Sequence, residues 1–242
     1  MKPSFAFTSW PYVAFALLVG IVFLRYLFMR GKIDQIDARI SKAWEIFGGG
    51  IFWRFSVFLL VAAHLVGFIF AEKIAVLNSN IGALYLIEGV GFGLGVIALL
   101  SGLRLVWKQL GQTSGSFMGE AMDTMLLAVL LVGVVSGLLM AAIYRWGSSW
   151  GVAILVPYIF TILRGKPNSV FVAEMPFLVQ LHVFSFFVAL AVLPFTRLGP
   201  VLVLAFHRCV NLVGKPVLAG ANVMEGWLRR HNPGAWIWPE ED

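Results

Sequence analysis

Five stretches of this 242-residue chain are each about twenty residues long, nearly uncharged and apolar all round, and this constrains the fold more than any other feature. They run Phe7–Phe28, Ile51–Phe70, Leu84–Val106, Thr124–Ile143 and Pro176–Leu198. A helix of ~20 apolar residues crosses a bilayer, and in hydrocarbon its backbone must satisfy its own hydrogen bonds. The expected fold is therefore all-α, an integral membrane bundle of five transmembrane helices. Charged residues make up only 12% of the chain, about half the share of a soluble domain, which leaves no room for a second, globular catalytic domain. The first apolar run carries only Lys2 ahead of it and no small-residue cleavage site after it, so it reads as a retained span.

The net charge of +6 is topological rather than nucleic-acid-binding, because no basic run with interleaved aromatics occurs. With the N-terminus outside, the inner segments hold Arg25, Arg30, Lys32, Arg39, Lys42, Arg54, Arg104, Lys108, Arg197, Arg208, Lys215, Arg229 and Arg230. The outer segments hold only Lys2, Lys73, Arg145, Arg164 and Lys166. The positive-inside rule then gives N-terminus outside and C-terminus inside. Residues 1–200 form the membrane domain, and residues 201–242 a cytoplasmic interfacial tail for docking. Val201–Phe206 is expected to continue the fifth helix into the interface. Apolar residues set among charges over 30–50 point to a short amphipathic surface helix on the inner side. The long outer loop 145–175 carries the turn signals Gly165, Pro167 and Asn168, and a loop of that length over a bundle often covers a site. The one cysteine, Cys209, excludes an intrachain disulfide, an iron–sulfur ligand set and a covalent CxxCH haem within this chain.

Two histidines fall inside apolar spans. His64 lies about six residues before the outer end of the second span and His182 about six residues after the outer start of the fifth, so both sit ~9 Å deep. Intramembrane imidazoles are costly and usually functional, and two level ones on different helices suit the axial positions of a haem. The bland alternative is that each histidine simply hydrogen-bonds a backbone carbonyl or a serine. Gly67, three residues beyond His64, and Ser185 and Ala189, beyond His182, are small enough to let a porphyrin edge approach. Gly89/Gly93, Gly91/Gly95 and Gly133/Gly137 make small-xxx-small pairs, which serve close helix packing, leave room for a flat macrocycle, or both.

The segment Arg54-Phe-Ser-Val-Phe-Leu-Leu-Val-Ala-Ala-His64-Leu-Val-Gly67 resembles the second helix of the cytochrome b (gamma) subunit of respiratory nitrate reductases. Pro176-Phe-Leu-Val-Gln-Leu-His182-Val, continuing to Leu193-Pro-Phe-Thr-Arg-Leu198, resembles that family's fifth helix more closely still. The family carries four haem-ligating histidines, at spacings that fall here on Arg54 and His64, and on His182 and Pro200. The resemblance thus implies one haem b, on the outer side with His64 and His182 as its axial iron ligands, and the joint loss of the inner site. His207 has no partner histidine on the second helix and reads as an interface residue; His231 belongs to the polar tail.

The resemblance further implies electron transfer between membrane quinone or quinol and an iron–sulfur or other redox subunit of a larger complex, in a prokaryotic cytoplasmic (inner) membrane. Glu88 and Lys73 are the candidates for quinone binding and proton transfer, unless they only pair with each other at the interface. Arg145 and Lys166 are candidates to meet the haem propionates. With the haem ~9 Å below one face, about 20 Å of apolar bundle separates it from the other, which favours an outer-face or multi-subunit redox partner. The competing reading is a haem-free membrane anchor that docks a redox partner, for which the Trp236-Ile-Trp238 tail and the acidic end Glu240-Glu241-Asp242 would also serve. A transporter is disfavoured, since five spans show no internal repeat and no pair of broken helices.

Overall fold

A computed structural model describes residues 5–29, 50–110, 117–213, 220 and 222–227. The expected amphipathic helix over 30–50, His231 and the tryptophan-rich and acidic tail lie outside the described residues. The described chain is all-helical. Its principal helices are α1 (Trp10–Met29), α2 (Gly50–Ile69), α3 (Ile81–Leu110), α4 (Phe117–Ile143), α5 (Phe177–Val192) and α6 (Gly199–Val213). The first four contain segments long and apolar enough to cross a membrane, and α5 reaches that length with the 3-10 turn that follows it to Phe195, all within a few residues of the spans read from the sequence. Their outward faces carry large apolar side chains, among them Phe52, Phe58, Leu86, Leu100 and Trp107, as a lipid-facing surface requires.

The helices pack in a curled row. α5 lies between α4 and α1, α4 packs on α3, and α3 on α2. α2 buries only Trp53 and Ser56 and has no extended backbone packing with α4 or α5. The row nevertheless curls far enough to bring α2 opposite α5. The ring α2–α3–α4–α5 therefore has one loosely closed seam, between α2 and α5.

The two ends of this ring differ. At the end holding Trp53, the indole packs with Ala98, Leu105 and Leu127, and Leu130, Leu131 and Val134 close around them. Gly102 permits this: a Cβ there would stand 2.6 Å from the Trp53 ring and 2.7 Å from Leu131. Gly95 admits Leu138 in the same way. At the other end, added Cβ atoms on Gly67, Gly89, Gly91 or Gly93 would meet nothing within 4 Å. The small-residue stripe of α3 thus packs closely at Gly95 and Gly102, and no neighbour stands against it at Gly89, Gly91 and Gly93.

The segment after α4 is more ordered than the turn signals of the sequence imply. Arg145 and Trp146 both take left-handed φ values, 49° and 51°, which reverses the chain. The segment Gly147–Leu163 is then helical throughout, including a π-helical turn at Gly151–Leu155. Gly165, with φ +72°, makes the next turn. The helical segment spans the bundle end nearest the histidines. Tyr158 Oη donates to the Phe7 carbonyl at 2.9 Å and Tyr12 Oη to the Ile162 carbonyl at 2.9 Å, while Phe160 stacks on Phe68 of α2 with ring centroids 5.3 Å apart.

The continuation of the fifth helix beyond Phe195 does not occur. Pro194 brings no N–H, α5 tightens into a 3-10 turn at Leu193–Phe195, and Thr196 is extended. A separate helix, α6, then runs back against α1, with Phe206 edge-on to Tyr26 at 5.1 Å. The elbow is held by charge. Asp123 of α4 accepts the Arg197 backbone N–H at 2.9 Å and lies 3.4 Å from its Nε, and Arg25 of α1 donates to the Thr196 carbonyl.

Candidate functional site

His64 and His182 meet across the loosely closed seam. Their ring centroids are 6.0 Å apart with planes 30° from parallel. His64 is exposed on α2, and His182 is half-buried on α5. Each ring uses Nδ1 in the same way. His64 Nδ1 pairs with the Leu60 carbonyl of its own helix at 2.7 Å, and His182 Nδ1 with the Gly133 carbonyl of α4 at 2.9 Å. A carbonyl only accepts, so in both rings the proton sits on Nδ1 and the Nε2 lone pair is left available. This is the bland contact anticipated for each histidine, and it is also the tautomer a metal ligand needs.

The spacing suits a metal between the rings. With metal–imidazole bonds of ~2 Å and ring centroids ~1 Å behind each nitrogen, two in-line ligands put their centroids ~6 Å apart. Among the described residues no group of three or more His, Cys, Asp or Glu side chains comes together. Two imidazoles alone make a poor site for a bare ion, and His64 and His182 are the residues that would hold a haem iron, for which histidine is a standard ligand. The two imidazoles fit that group, and Gly67, one turn beyond His64, has nothing within 4 Å of an added Cβ.

Small residues of α4 surround His182. A Cβ on Gly137 would stand 3.1 Å from its Cε1 and 3.4 Å from its Nδ1, so only glycine fits there without displacing the ring. Ser136 Oγ is 3.2 Å from His182 Nδ1. Ser185, expected to flank a porphyrin, is buried; a Cβ on Gly133 would lie 3.3 Å from its Oγ, and Ala189 packs in the cluster around Leu126 and Val192. Their face of α5 therefore meets α4 and not a slot.

Glu88 stands near the start of α3, where its Oε1 accepts both the backbone N–H and the hydroxyl of Ser148 at 2.7 Å each. Asn78 Nδ2 donates to the same Ser148 Oγ at 3.1 Å. The glutamate thus caps the helical segment that closes the bundle end. Lys73 is exposed on the short helix Ala71–Asn78 and forms no ion pair with Glu88. Arg145 and Lys166 are exposed, and among the described contacts neither is tied to the histidine pair. Arg54 is exposed and Pro200 buried, with no imidazole beside either among the described residues. His207 lies on α6 against Tyr26 and accepts from Asn211 Nδ2 at 2.9 Å.

Sequence reasoning missed Ser136, Ser148, Asn78 and the Asp123 elbow. Asp123 carried a usable signal, as one of two acids, with Glu120, at the start of an apolar span. Ser136 carried a weaker one, falling between Gly133 and Gly137 on one helical face.

The model of one protein family, described as the nitrate reductase gamma subunit, matches residues 3–213. No curated protein and no solved structure matches significantly.

Proposed function

The chain belongs to the nitrate reductase gamma subunit family, membrane subunits of an oxidoreductase complex, and we propose that it is a cytochrome b subunit carrying a single haem b. One observation carries the reading: His64 and His182 oppose each other at 6.0 Å with both Nδ1 atoms engaged and both Nε2 lone pairs free for a metal. When bound, the haem supplies one-electron chemistry between a quinol and a partner redox subunit.

The chain's own residues do the rest. His64 and His182, facing each other across the seam, would hold the group. Glu88, fixed by Ser148 at the same end of the bundle, takes up a proton released on quinol oxidation or returns one on quinone reduction. Lys73 is the nearby exposed cation for the quinone, and Arg145 or Lys166 for the propionates. Among the described residues the opposite end has no histidine pair, and the Trp53 cluster packs there, which supports one haem rather than two. With the N-terminus outside and the C-terminus inside a prokaryotic cytoplasmic membrane, the orientation the basic residues favour, the histidine pair would lie near the outer face. A redox partner would then dock on that face or bridge to it from the inner side.

The test is an optical spectrum of the purified chain. One b-type alpha band at one haem per chain is expected, and both His64→Ala and His182→Ala should abolish it. A haem-free wild-type protein that still binds its partner subunits would overturn the reading in favour of a membrane anchor.

A further inference from the structure

The haem reading names two ligating residues, but the structure ties only one of them to a neighbouring helix. His64 takes its Nδ1 acceptor from Leu60, one turn back in α2, so ring and acceptor travel together. His182 takes its acceptors from α4. The Gly133 carbonyl lies 2.9 Å from Nδ1 and Ser136 Oγ lies 3.2 Å from it.

The hydroxyl of Ser136 has one hydrogen and two backbone acceptors in its own helix, the Val132 carbonyl at 2.7 Å and the Gly133 carbonyl at 3.0 Å. The hydrogen is used there, which leaves the oxygen lone pairs on the imidazole side. The Nδ1–H of His182 therefore meets two acceptors, a carbonyl and a hydroxyl oxygen, in a three-centre bond. Ser136 is only 1% exposed, so no water competes for that contact. Gly137 completes the arrangement by leaving the ring edge room to lie flat on α4.

We propose that Ser136, together with the Gly133 carbonyl, is the positioning and tuning group of His182, so that α4 sets the electron affinity of a haem it does not itself ligate. The proposal rests on the haem reading above. Two acceptors on Nδ1–H make the imidazole a stronger donor through Nε2, which favours the oxidised metal and lowers the reduction potential. Removing the hydroxyl should then raise the potential.

A serine that bonds back to the carbonyl one turn earlier is common in apolar helices with no further role, so the control must share that feature. Ser56 does. Its hydroxyl donates to the Phe52 carbonyl at 2.7 Å, it is fully buried, and its described partners include no histidine.

The experiment is a redox titration of the purified, haem-loaded chain as wild type, Ser136→Ala, Ser136→Thr and Ser56→Ala, followed by the alpha band. Ser136→Ala is expected to shift the oxidised-to-reduced equilibrium toward the reduced form by roughly three- to tenfold, the worth of one ordinary hydrogen bond. Ten-fold corresponds to ~59 mV for a one-electron couple. Ser136→Thr, which keeps the oxygen, should stay near wild type, as should Ser56→Ala. A Ser136→Ala potential equal to that of wild type and Ser56→Ala would overturn the proposal while leaving the haem reading intact. Should Ser136→Ala fail to accumulate, a Ser136→Thr potential displaced as far as tenfold would overturn it equally. A wild-type chain without haem would instead sink the haem reading itself.

Discussion

At the scale of single residues, the site depends on which nitrogen of each imidazole is occupied. Both Nδ1 atoms face oxygen acceptors, and nothing in the amino-acid string announces that; it follows from Leu60 lying one turn before His64 and from α4 packing beside α5. The histidines themselves were legible, because an imidazole in an apolar span stands out. Ser136 was not, since a serine in such a span is ordinarily satisfied by its own helix. Gly137 was legible as a packing residue but not as the floor under His182. Gly137→Ala is expected to push the ring by several tenths of an ångström, since its Cβ would stand 3.1 Å from Cε1. Haem content per chain, measured by pyridine haemochrome, should fall in this variant, and Gly20→Ala, on α1 outside the ring of α2 to α5 and with nothing within 4 Å of its Cβ, should leave it unchanged.

At the scale of elements, the departures from expectation occur where the chain turns. The existence of five spans followed from hydropathy alone, but the stop after α5 depended on Pro194 and on a carboxylate from another helix. Asp123 is 2% exposed and binds both the backbone and the side chain of Arg197. Asp123→Asn keeps the shape and removes the charge. The loss of a charge-assisted bond of this kind costs about 1.5–3 kcal/mol, read as a lower thermal midpoint in detergent with the visible spectrum unchanged. The helical segment Gly147–Leu163 was read as a loop because a left-handed pair at Arg145–Trp146 leaves no glycine signal behind. It is moored by Tyr158, whose phenol is held above its usual range by burial and then by Tyr12, so it stays a neutral donor to Phe7. Tyr158→Phe should therefore loosen this segment by about 0.5–1.5 kcal/mol, seen as faster hydrogen exchange over Gly147–Leu163.

At the scale of the whole molecule, the two ends of one helical ring are put to opposite uses. One end is filled by an indole and its neighbours, and at the other two imidazoles face each other beneath the helical segment Gly147–Leu163. The sequence showed this division only as absences, Arg54 and Pro200 where a histidine pair would stand. What occupies the space instead, Trp53 against Gly102, is a matter of packing between α2, α3 and α4 that no periodicity records. Trp53→Ala should cost about 3 kcal/mol or more in stability by opening a cavity, while haem stoichiometry stays at one per chain, because an empty space without two imidazoles is not a ligand set. The seam between α2 and α5 has a different consequence, for the order in which the protein is made. Its two sides carry little helix-to-helix packing of their own, so α1, α4 and α5 can assemble while α2 stands aside on α3 like a gate. On the haem reading a flat cofactor would enter sideways from the bilayer, and His64 and His182, one on each side of the seam, would hold it. Maturation on this route would need no unfolding of the finished bundle.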